Sequence, residues 1–256
     1  MAGKQPPASN VYWDLQTNTR HELPAGYGSA TFTPDGSHYV FAAFQTQPAV
    51  SSRVVVYDTA TDKPLRTLVE EPGRMIAGAI VSPDGKLVVA GSRDAKREKP
   101  EVVRIWELET GAEVGRIEFS GKTMAYSTMF SPDGRQLVVQ DSEGGWFLWD
   151  AATRKTLAEH PADKSRMMLL KMFRSDGRVL IASSVPRSEQ SRELDPDPTD
   201  LPQPRLQLLD VKTGKELAGF VMPNGIVAAV ALSPDGRWLA AGGYGAVHLI
   251  DLAAKR

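Results

Sequence analysis

Gly121-Lys122-Thr123 has the composition that ends a phosphate-binding loop. Such a loop needs G-x-x-x-x-G-K-[ST], so that successive backbone amides cradle the phosphates. Gly115 precedes Gly121 by one residue too many, and the segment joins two predicted strands rather than a strand and a helix. Phosphate chemistry is therefore set aside. Gly-rich 26–29 (GYGS) and 242–245 (GGYG) complete no dinucleotide fingerprint and open no helix. The histidines His21, His38, His160 and His248 show no metal-ligand spacing on a local element. Asp195, Asp197 and Asp200 cluster, but the third ligand and the Gly of a calcium loop are missing. The prolines between them read as a stiff, extended linker. There is no Gly-x-Ser-x-Gly elbow. The chain has no cysteine, which excludes thiolate nucleophiles, disulfides and sulfur-ligated zinc. No metal or other cofactor is expected, and the chain reads as a non-enzyme.

What repeats instead is a turn. TPDG, SPDG, SPDG, RSDG and SPDG place aspartates at Asp35, Asp84, Asp133, Asp176 and Asp235, with spacings of 49, 49, 43 and 59. In such a turn Pro fixes φ, Asp bonds its own backbone and Gly takes positive φ. Recurrence in every repeat argues for a turn role over a general-base role. A second motif follows each turn: VVVYD, VRIWE, WFLWD, LQLLD and VHLID, ending at Asp58, Glu107, Asp150, Asp210 and Asp251. It also occurs once ahead of them, as VYWD ending at Asp14. Each unit thus reads as four short strands, a to d, rich in Val, Ile, Leu and Phe, with no helical period.

Four-strand repeats of this length point to propeller blades. The sequence resembles the WD-repeat family, in particular its bacterial members with an SPDG turn, from about Val11 to Asp251. The best match is LVVQDSEGGWFLWD, with Trp149-Asp150 in the name-giving position; Trp13 and Trp106 hold the same position elsewhere. The family's Gly-His dipeptide is absent from every repeat, so its His-to-Asp network is not carried over. The expected fold is all-β: a β-propeller of about five four-stranded WD-like blades. Residues 1–10 read as a disordered leader and 11–256 as one propeller domain. The repeats lie near 24–70, 71–119, 120–160, 161–221 and 222–251. Residues 11–23 supply closing strands, with the strand near Thr19 completing the last blade; the alternative is a chain cut from a longer propeller.

The resemblance implies that the d–a and b–c loops share one face. Length variation falls there, at 45–53, 92–101 and the long 184–205, and insertions on one face of a repeat protein mark a binding face or exposed drift. Arg74, Thr123 and Arg166 stand ten residues before their PDG aspartates, with Lys122 beside Thr123, and Arg53, Arg93, Lys96, Arg97 and Lys99 lie near. A ring of such cations suits an acidic or phosphorylated segment. Its interleaving with Asp94, Glu98 and Glu101 also fits ordinary solvated charge. Met75, Met124 and Met167 follow the ring positions and read mainly as packing.

The chain has a net charge of −1, without the basic footprint of nucleic-acid binding. It has no membrane-length apolar run and no signal-like stretch in its first ten residues. The expectation is a cytoplasmic interaction scaffold that presents loops to a protein partner. The alternatives are a propeller enzyme or small-ligand binder at a central channel, or a non-catalytic part of a larger protein.

Overall fold

The computed structural model describes residues 10–24, 26–76, 78–119, 125–187, 203–222, 227–243 and 246–253. Contacts divide the chain into two compact units, Met1–Val81 with Gly85–Glu118, and Ser82–Asp84 with Phe119–Arg256. The described residues are strands and turns throughout.

Unit one opens with a hairpin of β1 (Val11–Asp14) and β2 (Thr19–Glu22). A four-stranded sheet follows: β3 (Tyr27–Phe32), β4 (His38–Gln45), β5 (Ser51–Asp58) and β6 (Pro64–Pro72). The second sheet has β7 (Arg74–Met75) and β8 (Ala79–Val81) as two halves of one interrupted strand, then β9 (Leu87–Asp94), β10 (Val102–Glu107) and β11 (Glu113–Glu118). Unit two holds the third sheet, β12 (Ala125–Phe130), β13 (Gln136–Asp141), β14 (Trp146–Asp150) and β15 (Lys155–His160). The fourth sheet has β16 (Arg166–Phe173), β17 (Val179–Pro186), β18 (Arg205–Asp210) and β19 (Glu216–Val221). The fifth has three strands among the described residues: β20 (Ala229–Leu232), β21 (Trp238–Gly243) and β22 (Ala246–Asp251).

The repeat motifs dictate this order locally. All five PDG glycines sit at φ between 67° and 72°, where a Cβ is costly. In four of the turns the hydroxyl two residues earlier donates to the aspartate, as Thr33 does to Asp35 at 2.6 Å and Ser131 to Asp133 at 2.6 Å. In the RSDG turn the Arg174 guanidinium takes that place on Asp176. At the second motif Asp58, Asp150 and Asp210 each accept the backbone N–H and hydroxyl of a threonine three residues on. These aspartates organise turns. The residue four after the second-motif acid is left-handed in every c–d turn that carries it: Asn18, Asp62, Gly111, Arg154 and Gly214.

Packing is sheet on sheet. Val40, Ala42, Val54 and Val56 of the first sheet meet Ile76, Ala79, Val88, Ala90 and Trp106 of the second. The other face of the first sheet, Tyr39, Phe41, Ala43, Val55 and Tyr57, is covered by Tyr12 and Leu23 from the hairpin segment. In unit two, Val138, Trp146 and Leu148 meet Leu170, Leu180 and Ala182. Ile181 and Leu206 meet Leu239 and Ala241. A sheet buried on both faces needs apolar side chains at successive positions, which explains unbroken runs such as VVVY in β5.

Ahead of the first sheet, β2 pairs with β1 in a two-stranded sheet, with register Val11↔Glu22 to Asp14↔Thr19. The tight turn at Asp14 to Thr19 makes this local pairing entropically cheaper than a distant one.

Candidate functional site

At the second sheet, the β6–β7 link, the β9–β10 loop (95–101) and the β4–β5 loop of the first sheet come together, as expected for d–a and b–c connections. They line an open cavity of about 1020 Å³. Its walls include Val50, Pro72, Ala95, Pro100 and Val102, and its charged groups are Arg74, Lys96, Lys99, Arg104 and Arg116 interleaved with Glu71, Asp94, Glu98 and Glu118.

Arg74 lies in this cavity wall, held from several sides. Its Nε donates to Ser92 Oγ at 2.6 Å, and its terminal nitrogen donates to the carbonyls of Ser92 and of Pro100, the latter at 2.9 Å. Glu71 approaches the same guanidinium at 3.7 Å, accepts from Ser92 Oγ at 2.7 Å and is also paired with Arg104. Arg74, Glu71 and Arg104 are all largely buried, so a carboxylate between two guanidinium groups meets the need that burying charge creates. The pairing extends outward through Arg104–Glu113 and Arg116–Glu113 to Arg116–Glu118.

The exposed charge lies on the loop. Lys96, Arg97 and Lys99 are exposed within a few residues of one another. Arg97 is left-handed, at φ 59°, because its N–H bonds back to the Asp94 carbonyl in a tight turn. The Glu98 amide, with the Lys99 and Arg74 charges further off, holds Asp94 below the usual carboxylate range. Arg93 is half-buried on β9 with a terminal nitrogen 3.6 Å from Met75 Sδ. Arg53 is exposed on β5 opposite Glu70, in a neighbouring cavity of about 270 Å³ with Gln45 and Ser51.

Arg166, in unit two, repeats the Arg74 arrangement: its Nε and terminal nitrogen donate to Ser184 Oγ and Ser184 O, both at 3.0 Å. Ser184 Oγ in turn donates to Gln207 at 2.7 Å. Both arginines therefore pin the start of strand a to strand b of their own sheet. Lys122, Thr123 and Met124 lie outside the described residues, as does most of the long 184–205 segment. The sequence reading missed Ser92 and Glu71. The available signal was that Ser92 and Ser184 each fall eighteen residues after their arginine.

A second polar cluster escaped the sequence reading entirely. Asp62 accepts from Tyr12 Oη at 2.7 Å, His21 Nδ1 stands 2.7 Å from its other oxygen, and Tyr39 Oη lies at 3.4 Å. The Tyr12 ring stacks on His21 at 4.5 Å. Burial pushes Asp62 up, but the hydrogen bonds from Tyr12 and His21 and the His21 charge outweigh it, leaving it below the usual aspartate range. Burial first, then Asp62, drives the Tyr12 hydroxyl well above the ordinary tyrosine range. This cluster fastens the hairpin to the first sheet.

Among the described residues, no three His, Cys, Asp or Glu side chains gather as a metal site. Among them, too, no helix is long and apolar enough to cross a membrane.

Residues 214–251 match the family model "WD domain, G-beta repeat". The chain is 26% identical over 187 residues to transcription initiation factor TFIID subunit 5 of Caenorhabditis elegans, covering 72% of this chain and 26% of that protein. It is 28% identical over 101 residues to the human WD repeat and SOCS box-containing protein 1, covering 39% of this chain and 22% of that one. The chain thus spans about a quarter of the length of these curated relatives. Kuenenia stuttgartiensis hydrazine synthase shares the fold at a TM-score of 0.66 and 17% identity, over 95% of this chain and 70% of that chain. These likenesses support a WD-repeat family for the chain, and the fold they show is a β-propeller of four-stranded sheets.

Proposed function

We propose that this chain is a protein-interaction scaffold that docks an acidic or phosphorylated segment of a partner at the loop end of its second sheet. The observation that carries the reading is the cavity of about 1020 Å³ walled by Arg74 and rimmed by Lys96 and Lys99. Its apolar wall suits an extended segment, and on the adjoining loop the exposed Lys96, Arg97 and Lys99 outnumber the exposed Glu98, which leaves that loop positive. Arg74, Arg104 and Glu71 set the shape of the floor, since they are committed to one another. The exposed cations Lys96, Arg97 and Lys99 supply the attraction, strongest at low salt. A resemblance to WD-repeat proteins supports a scaffold role by analogy of fold. The bacterial SPDG-type kinship, a cytoplasmic setting and a non-catalytic role belong to the same reading.

The test is binding of the purified chain to panels of acidic, phosphorylated, neutral and basic peptides. Wild type is compared with Lys96→Glu/Lys99→Glu, whose side chains are exposed and make no clamp. Selective binding of anionic peptides that falls at least tenfold in the folded variant is expected. Equal binding across the panel, or full retention by the variant, refutes the reading.

A further inference from the structure

The cations of the loop-end cavity differ in what they can offer an incoming anion. A guanidinium with an open edge grips a phosphate through two parallel hydrogen bonds, and successive backbone amides can cradle one. An ammonium is a point charge and does not tell phosphate from carboxylate by shape. Each guanidinium lining this cavity already has a carboxylate beside it. Arg74 donates to Ser92 and Pro100, with Glu71 3.7 Å away. Arg104 gives one terminal nitrogen to Glu71, has Glu113 3.8 Å from the other, and its Nε is closed off from solvent. Arg116 donates its Nε to Glu113 at 2.8 Å and has Glu118 3.8 Å from a terminal nitrogen.

The backbone of the loop is committed too. The Arg97 N–H goes to the Asp94 carbonyl at 3.1 Å. The buried Asp94 carboxylate accepts the Glu98 N–H at 2.9 Å and the Lys99 N–H. The three consecutive amides that could have cradled a phosphate thus turn inward. Lys96 and Lys99 are the lining cations that stand exposed on the loop; Arg97, exposed between them, does not line the cavity. We infer that the segment this cavity takes is a run of aspartates and glutamates, in which a phosphate adds no more than its charge. The inference rests on the docking reading above and narrows it to one ligand chemistry. Two ammonium groups beside the apolar Val50, Pro72 and Pro100 suit a chain that spreads single charges along its length. A dianion concentrated at one point meets twice the repulsion from Glu71, Glu98 and Glu118 that a single carboxylate meets.

Fluorescence anisotropy on the full chain at pH 7.5 tests this with labelled peptides of equal length. One carries four glutamates and one carries two phosphoserines, each of about −2 charge there, so that the totals match. A third carries glutamine at the same places. The two anionic peptides are expected to bind within about threefold of each other and to weaken in parallel as salt rises, while the glutamine peptide stays unbound. A phosphoserine peptide bound about tenfold or more tightly than the glutamate peptide overturns the inference and leaves anionic docking standing. Binding of neither anionic peptide overturns both. Glu71→Gln removes the carboxylate shared by Arg74 and Arg104. In that variant, with unchanged circular dichroism, the phosphoserine peptide is expected to gain about fivefold over the glutamate peptide. An unchanged ratio in the folded variant overturns the inference, and the wild-type comparison decides by itself if the variant does not fold.

Discussion

Asp62→Asn isolates the cluster that fastens the hairpin to the first sheet. Asp62 is left-handed at φ 55°, a conformation Asn accepts, so the substitution leaves the turn intact. An amide accepts on one atom only, and its nitrogen faces either Tyr12 or His21 as a donor. One of two 2.7 Å bonds to a charged acceptor is lost. Such bonds contribute about 1.5–3 kcal/mol when shielded, and with Asp62 one-third exposed we expect about 1–2 kcal/mol. A two-stranded hairpin is marginal alone, so the loss falls on its local opening rather than on the whole unit. At tenfold per 1.4 kcal/mol, amide exchange across β1 and β2 speeds up by about 5–30-fold. Hydrogen exchange read by mass spectrometry follows peptides from β1–β2 and from β4–β5 in parallel. Faster exchange confined to the hairpin is predicted; unchanged hairpin exchange, or an equal rise in β4 and β5, refutes the reasoning. The sign with pH follows from the depressed Asp62. Its contribution is present above the ordinary aspartate pKa and is lost as pH falls through the lower folded value, so acid loosens the hairpin first.

Further expectations follow from single contacts. Gln140, nearly fully buried, accepts the Leu170 amide at 2.9 Å and donates to Met168 O at 3.1 Å, so Gln140→Ala orphans two backbone groups and costs about 2–4 kcal/mol by urea denaturation. Asp35 is held at about 2 by the Thr33 and Ser37 hydroxyls and the Ser37 amide, so its contribution is lost only as pH falls through that value. Thr33→Val should raise its midpoint in a carboxyl NMR titration. Arg74→Glu sets a second carboxylate beside Glu71 and strips the bonds to Ser92 and Pro100, costing about 3–5 kcal/mol, whereas Lys96→Glu leaves the urea midpoint in place. Arg154 carries the left-handed c–d position that Gly111 and Gly214 hold elsewhere, so Arg154→Gly should stabilise by about 0.5–1 kcal/mol in the same assay.

Strand order was legible because the PDG turn and the second-motif acid recur, and each acts within a few residues of itself. Thr33 to Asp35 and Asp58 to Thr61 are local bonds that any repeat of the pattern will form. The interruption between β7 and β8 was not legible, since register among short strands depends on which edge is free. That the d–a and b–c loops share a face was an implication of the family resemblance, and Arg74, Lys96 and Lys99 are among the residues lining one cavity. The state of Arg74 did not follow. Its partners Glu71, Ser92 and Pro100 are brought to it by three different connections, and a list of cations by spacing does not say which carboxylate reaches them first. The hairpin cluster was invisible for the same reason: Tyr12, His21, Tyr39 and Asp62 come from four separate elements.

The central claim is that anionic partner segments dock at the loop end of the second sheet, and amide NMR shift mapping on the labelled chain tests it most directly. On titration with a peptide selected from the anionic panel, perturbations are predicted at 49–50, 72–75 and 94–104, with the PDG turns silent. Perturbations centred on the PDG turns, or spread without a focus, would contradict it.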